Sequence, residues 1–355
     1  MAWIGLRDTH TGWFRPTEQI MAQQGGRLLR GALVLEARLN ETERPQTLLS
    51  FTRTGLVPGR FCLQVLPRGG IVLVDARGDD IRHATVPFMP DGRMDILRLV
   101  YSWDCEAGWG RLTLERPETD SVQSSMLNGP LPLPAETLEA LMMSRRDGVL
   151  GESVVYCALS DAPQAIGPMP ALTANVSLET VDGPRPVSRI TRGDLVVTEA
   201  GHLVPVLRLV KRTVPARGSF RPIRLRAPFF GLHKDAVVAP HERLVMTGSQ
   251  VEYLFGRETV LVPAAHLVNE CSAFLANGPD LVTYYHVLLA QNEAVLSGEC
   301  ALESLYIGRL RRKPEAIASS VLAGFDRSRL PEHAKRVSQV LKPFEAVTLA
   351  MTRVA

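Results

Sequence analysis

Between residues 28 and 115 apolar and polar positions alternate in short runs, broken by turn residues about every ten positions, which is the spacing of a β-sandwich or barrel. The runs fall at 28–39, 47–53, 61–66, 71–74, 94–103 and 112–115. In the fifth, Leu97, Leu99, Tyr101 and Trp103 share one face while Arg98, Val100 and Ser102 take the other, the period of two that marks a half-buried strand. Turn residues at 104–110 and the Pro67-Arg68-Gly69-Gly70 step join neighbouring runs, so an antiparallel meander is predicted. Residues 117–134, with Asn128-Gly129-Pro130, Pro132 and Pro134, read as a linker, and a short helix with Leu138, Leu141 and Met142 on one side follows. From Leu172 the text changes to glycine-punctuated short strands, with Asp182-Gly183 as a hairpin turn and Gly193-Asp194 ahead of Leu195-Val196-Val197. Near the end, a helix over 314–323 is closed by Gly324, with Ile317, Val321 and Leu322 on one side, and a second helix is expected from Pro331.

A chain of 355 residues and 39.0 kDa exceeds one ordinary domain, so two are expected. With 45% hydrophobic and 22% charged residues, disordered and fibrous classes are excluded. No apolar run approaches the roughly 18 residues that cross a bilayer, and the start lacks a basic region followed by an apolar stretch. Cys62, Cys105, Cys157, Cys271 and Cys300 are scattered singly, which argues against a disulfide framework and a zinc ribbon and for a reducing, cytoplasmic setting. No cofactor or metal is called for.

Charge adds one candidate surface. Residues 1–160 hold 17 basic and 19 acidic groups, residues 161–355 hold 23 and 18, and the stretch 201–234 has no acidic residue at all. There Arg208, Lys211, Arg212, Arg217, Arg221, Arg224 and Arg226 form a possible anion-facing surface, although they alternate with apolar residues as solvent-facing strand positions do. No nucleic-acid-binding motif accompanies them. The cluster at 309–313 reads as a solvated run.

The first half resembles concanavalin-like jelly rolls, on Phe61-Cys62-Leu63-Gln64-Val65 before a glycine turn and Tyr101-Ser102-Trp103-Asp104 before a hairpin. The Glu-x-Asp-x-x-Glu arrangement of the glucanase members is absent, so sugar cleavage is not implied. Glycan binding through Trp103 or Trp109 is the role such a sandwich would offer.

Four ordered blocks in the second half carry a more specific resemblance. The opening Asp182-Gly183 and Gly193-Asp194-Leu195-Val196-Val197-Thr198 segments, Ala239-Pro240-His241-Glu242-Arg243-Leu244, Val262-Pro263-Ala264-Ala265-His266-Leu267-Val268, and the closing block with His286, Glu303-Ser304 and Gly308 are similar to the Hint domain of Hedgehog proteins and inteins in its bacterial form. A mainly β chain is therefore expected: a jelly-roll-like sandwich at 1–150, a linker at 151–170, a Hint-like all-β domain at 171–308 and a helical tail at 309–355.

The resemblance implies a chemistry and places its residues. Hint domains attack the carbonyl before their first residue, usually Cys, and convert a peptide bond to a thioester. The matching position is Ala171, which has no nucleophile. Where the family histidine polarises the scissile amide stands Glu242, with His241 one residue earlier, and a one-residue shift on a strand would turn it to the opposite face. His286 is kept, and Asn292 replaces the second closing histidine. Thr173, Ser177 and Cys157 are the substitute nucleophiles within reach of the junction in sequence. His266 and His286 lie in strand-like apolar text, where a structural imidazole is the ordinary reading. A domain that has lost self-cleavage and serves as a binding or assembly module, for a protein or glycan partner, is the leading expectation; self-processing through a substitute nucleophile and glycan binding by the sandwich are the alternatives.

Overall fold

The computed structural model describes residues 2–16, 26–39, 44–53, 58–67, 69–89, 96–119, 121–143, 148–334, 336 and 338–354. The chain divides into two compact units, Met1–Ile166 and Gly167–Ala355, and both are built mainly of strands.

In the first unit two antiparallel sheets face each other. One has seven strands in the order Ser121–Asn128, Trp109–Arg116, Ile96–Asp104, Arg30–Arg38, Val154–Ser160, Trp3–Asp8 and Gly12–Phe14; the other has five, Gly148–Leu150, Gln46–Arg53, Gly59–Val65, Ile71–Arg77 and Asp80–Val86. The alternation seen in the sequence decides the core. Leu97, Leu99, Tyr101 and Trp103 join Leu33, Leu35, Leu63 and Leu73 in one apolar cluster. Trp103 is fully buried, stacked on Tyr101 at 5.2 Å, and its indole N–H donates to the Leu28 carbonyl, so it is a core residue and not a glycan platform. The helix Ala135–Met142 places Leu138, Leu141 and Met142 in the same cluster.

Several expectations are corrected here. Residues 117–134 are not a linker throughout, because Ser121–Asn128 pairs along its whole length with Trp109–Arg116. Its polar text is that of an edge strand with one face in solvent. The 151–170 segment likewise contains Val154–Ser160, which lies centrally between Arg30–Arg38 and Trp3–Asp8. A central strand buried on both faces shows no alternation, which is why periodicity misses it. The residues after 308 are no appended tail: Gln339–Val340 adds a parallel strand to Thr259–Pro263, and Ala346 and Leu349 of the helix Pro343–Val354 enter the second core. The early helix stops at Ala318, and no helix starts at Pro331.

The second unit holds a six-stranded sheet (Arg208–Pro215, Leu281–Leu288, Leu172–Thr173, Ala236–Val238, Ile223–Leu225, Ala273–Leu275), a four-stranded sheet (Gly183–Pro186, Ser177–Thr180, Leu195–Val197, Leu203–Pro205) and a five-stranded sheet (Ala294–Ser297, Cys300–Glu303, Arg243–Thr247, Thr259–Pro263, Gln339–Val340). Leu172, Leu178, Val196, Val238, Val262 and Leu302 draw all three sheets into one apolar cluster.

The other face of the seven-stranded sheet buries a charge. Arg98 stands opposite Glu36 on one neighbouring strand and Glu115 on the other, at 2.8 and 3.1 Å, with all three residues less than 5% exposed. Burial alone would lower the guanidinium pKa, but the two carboxylates more than offset it and hold Arg98 charged. Arg98→Ala should remove the shared guanidinium from two buried carboxylates and cost the first unit about 3–5 kcal/mol, measured by denaturant unfolding, whereas replacing all three residues together by apolar ones should cost far less.

Candidate functional site

Leu172–Thr173 is a two-residue strand, yet it occupies the middle of the six-stranded sheet. Leu172 pairs with Tyr285 on one side and Val238 on the other. Antiparallel register then sets Ala171 beside His286, and the Ala171 carbonyl accepts from the Ala239 amide at 2.6 Å on the opposite flank. Ala171 is 1% exposed, so a buried methyl fills the place at which the resemblance puts a thiol.

His286 is held by what surrounds it. Its Nε2 donates to the Glu303 carbonyl at 2.7 Å, which leaves Nδ1 as the lone-pair nitrogen of the neutral ring, without a hydrogen bond of its own. Burial pushes the imidazole pKa down to about 4 against the opposing pull of the Glu303 and Met169 backbone, so the ring is neutral at pH 7.

Glu242 enters from the turn after Ala239, whose carbonyl accepts the Glu242 amide at 3.0 Å. The sequence argument had placed residues 241 and 242 on a strand, but the strand begins at Arg243, and the turn settles their directions: Glu242 points inward at 1% exposure and His241 is only half-buried. Carboxyl Oε2 of Glu242 lies 3.7 Å from His286 Nε2, and neither oxygen makes a well-formed hydrogen bond. Burial first, and the Glu303 charge second, raise this carboxyl well above the usual carboxylate range, with Arg243 opposing. Burial thus favours the uncharged form of both Glu242 and His286 where they face each other. The fixed charges lie one step out, where Arg243 Nη1 meets Glu303 Oε2 at 2.9 Å and Arg336 approaches the other oxygen at 3.9 Å.

Asn292 is buried beside this group, its amide reaching the Ser304 carbonyl at 3.4 Å. Ala171, Glu242, His286 and Asn292 are therefore gathered around the Glu303-Ser304 segment. His266 lies elsewhere, on the 3-10 turn Ala264–Leu267 and not on a strand, with its pKa lowered by burial. The pairing of Arg243 with Glu303 has no signal in the sequence, because sixty residues separate the two.

The substitute nucleophiles are otherwise engaged or misplaced. Thr173 Oγ1 donates to the Val237 carbonyl at 2.7 Å, and Ser177 lies on the next sheet opposite Pro186. Cys157 is a core residue of the first unit, where burial pushes its thiol up to about 12. Cys300 is within the second unit, but burial, with help from Glu242, pushes it up to about 12 as well. None of the five cysteines is in a disulfide.

The seven basic residues of the proposed anion surface do not share one face. Lys211 is exposed while Arg212, next on the same strand, turns inward over Phe220. Arg217 pairs with Asp280 at 2.7 Å, Arg221 reaches Asn277, and Arg224 lies 4.0 Å from Asp235. Arg226 is exposed, and Arg208 lies over the Phe325 ring. Among the described residues no group of His, Cys, Asp or Glu has the arrangement of a metal site, and no helix is long and apolar enough to cross a membrane.

The buried pair has opposite pH signatures. Glu242 has a folded pKa raised above its unfolded value, so its contribution to stability is full below about pH 4.5 and is lost as pH rises toward the raised value, at up to about 1.4 kcal/mol per pH unit. His286, lowered from 6.5 to about 4, contributes above pH 6.5 and loses that contribution as pH falls toward 4. Unfolding of the second unit at several pH values should therefore show Glu242→Gln gaining on the wild type as pH rises above about 4.5, and His286→Gln flattening the acid limb.

The family model described as the Hint domain matches residues 170–309. No curated protein matches the chain. Among solved structures, the sialidase CBM40 of Ruminococcus gnavus bound to α2,6-sialyllactose is 14% identical with a TM-score of 0.26, covering 40% of this chain and 84% of its own. The leech intramolecular trans-sialidase is 10% identical with a TM-score of 0.27, covering 58% and 33%, and the SAP-like pentraxin of Limulus polyphemus is 8% identical with a TM-score of 0.21, covering 38% and 52%. The match runs from the junction at Pro170 through Glu242, His286 and Glu303, and residues 170–309 of this chain are a Hint domain.

Proposed function

We propose that this Hint domain does not break its own backbone and that it serves as a binding or assembly module. The observation that carries the reading is Ala171. An N-to-S acyl shift needs a thiol on residue 171 to attack the carbonyl carbon of Pro170, a base to take the thiol proton, and an acid to protonate the departing amide nitrogen. His286, a neutral imidazole, and Glu242, a carboxyl whose protonated form burial favours, have the chemistry for the last two tasks. Neither supplies the attacking atom. The buried methyl of Ala171 forms no bond to carbon, and the Thr173 hydroxyl is committed to the Val237 carbonyl.

Incubation of freshly made protein with dithiothreitol or hydroxylamine, which intercept thioesters and esters, should leave a single 39.0 kDa species by intact mass. Two fragments, one ending at residue 170 and the other beginning at residue 171, would sink the proposal. The double variant Ala171→Cys/Glu242→His restores the family residue types at both positions and is expected to yield thiol-dependent cleavage between residues 170 and 171. With Glu242→His alone, the chain should remain whole.

A further inference from the structure

The second unit carries an open cleft of about 420 Å³ lined by Arg192, Leu207, Arg208, Leu209, Phe325 and Arg329. Two segments distant in sequence make it. The turn before Leu195–Val197 is laced to the Arg208 strand, because the Gly193 amide donates to Val206 and the Val206 amide donates to Asp194, both at 2.9 Å. That brings Arg192 alongside Leu207 and Arg208. From the other side, Leu322 and Leu330 pack with Val210 and Leu288, holding the 322–330 segment against the same strand. Phe325 then lies under the Arg208 guanidinium at 5.2 Å.

Charge in this cleft is unbalanced. Asp326 also lines it, but its carboxylate accepts from the Ser328 amide and hydroxyl at 2.9 and 2.7 Å and lies 3.5 Å from Arg329 Nε. Arg192 and Arg208 have no carboxylate partner among the described residues. Two arginines without a carboxylate partner and a third that is partly compensated therefore line a hollow whose other walls are Leu207, Leu209, Gly324, Phe325 and the engaged Asp326. A lone carboxylate would satisfy one guanidinium fork, whereas a phosphate dianion presents three oxygens to several. The volume lies in the range of small-molecule sites, and the apolar walls suit a flat body attached to that phosphate.

We infer that this cleft is a binding site for a small phosphate monoester carrying a flat, apolar group. It does not depend on the state of Ala171 or on whether the chain cleaves itself. Of the basic residues that the sequence grouped together, it uses only Arg208, and it recruits Arg192 and Arg329 from outside that stretch.

Isothermal titration of the full-length chain with phenyl phosphate, benzoate and inorganic phosphate tests the inference. Phenyl phosphate should bind saturably and more tightly than either of the others. Arg192→Gln/Arg208→Gln should weaken it by at least about tenfold, the scale of losing charge-assisted hydrogen bonds. Arg208→Lys, which keeps the charge but loses the planar fork and the stacking, should weaken it several-fold, and Lys211→Gln should leave it unchanged. Thermal melts of each variant separate lost binding from lost folding, and the Arg208→Lys result stands if the double variant does not fold. Absence of saturable binding to phenyl phosphate would overturn the inference. So would equal or tighter binding of inorganic phosphate or benzoate, an unchanged affinity in folded Arg208→Lys, or a comparable loss in Lys211→Gln.

Discussion

The second unit depends on a strand of two residues. Leu172–Thr173 fills the centre of a six-stranded sheet, and its ladder to Tyr285 and Val238 fixes every later position by parity. Register is strict here because Leu172 is fully buried, so a slip by one residue would exchange it with a polar neighbour and expose the wrong face. Once that ladder is set, Ala171 must lie between His286 and Ala239, and the peptide bond before it must lie next to the imidazole. Thr173 reinforces the arrangement by donating to the Val237 carbonyl across the same sheet.

Electrostatics follow from that placement. Burying His286 and Glu242 together, 3.7 Å apart, disfavours the charged form of each. An ionised Glu242 would share its surroundings with Glu303, whose own charge is matched by Arg243. The site thus places one balanced ion pair on its outer side and uncharged polar groups at its centre. In the first unit the same rule has the opposite outcome, because Arg98 has two carboxylates in direct register and stays charged at full burial.

The sandwich was legible where the two faces of a strand differ in chemistry. Leu97 to Trp103 alternates because one face meets the opposing sheet while the other carries Arg98 and Ser102; both faces are buried, so the half-buried reading is corrected although the strand is found within two residues of its observed ends. Val154–Ser160 is buried on both faces and reads as an unbroken apolar run, so its central place was hidden. Ser121–Asn128 failed for the reverse reason, as an edge strand with most of its side chains in water. At the site, family spacing located Ala171, Glu242, His286 and Asn292, but the strand assumption gave Glu242 the wrong reason for its direction, since it sits in a turn. Neither Glu303–Arg243 nor the cleft at Arg192 and Arg208 has a local signature. Each is a contact between segments tens of residues apart, and pairings of that kind belong to topology and not to any window of sequence.

The packing also explains how the fold persists without its nucleophile. The segments that would carry the acyl shift are the same ones that build the core: Leu172 precedes Thr173 in the central strand, Leu244 follows Arg243, Val287 follows His286, and Leu302 precedes Glu303, and all four leucine or valine side chains lie in one buried cluster. Replacing a thiol by a methyl at residue 171 removes one heavy atom from a closed site, a small change beside the roughly 1.5–3 kcal/mol contributed by each buried leucine or valine. Glu242 is tolerated on the same terms. Protonated, it brings an uncharged polar group into a position where an uncompensated charge would be far more costly. The architecture therefore places its stability in residues adjacent to Ala171, Glu242 and His286 and not in those positions themselves, so the register of the sheet does not depend on a thiol at residue 171.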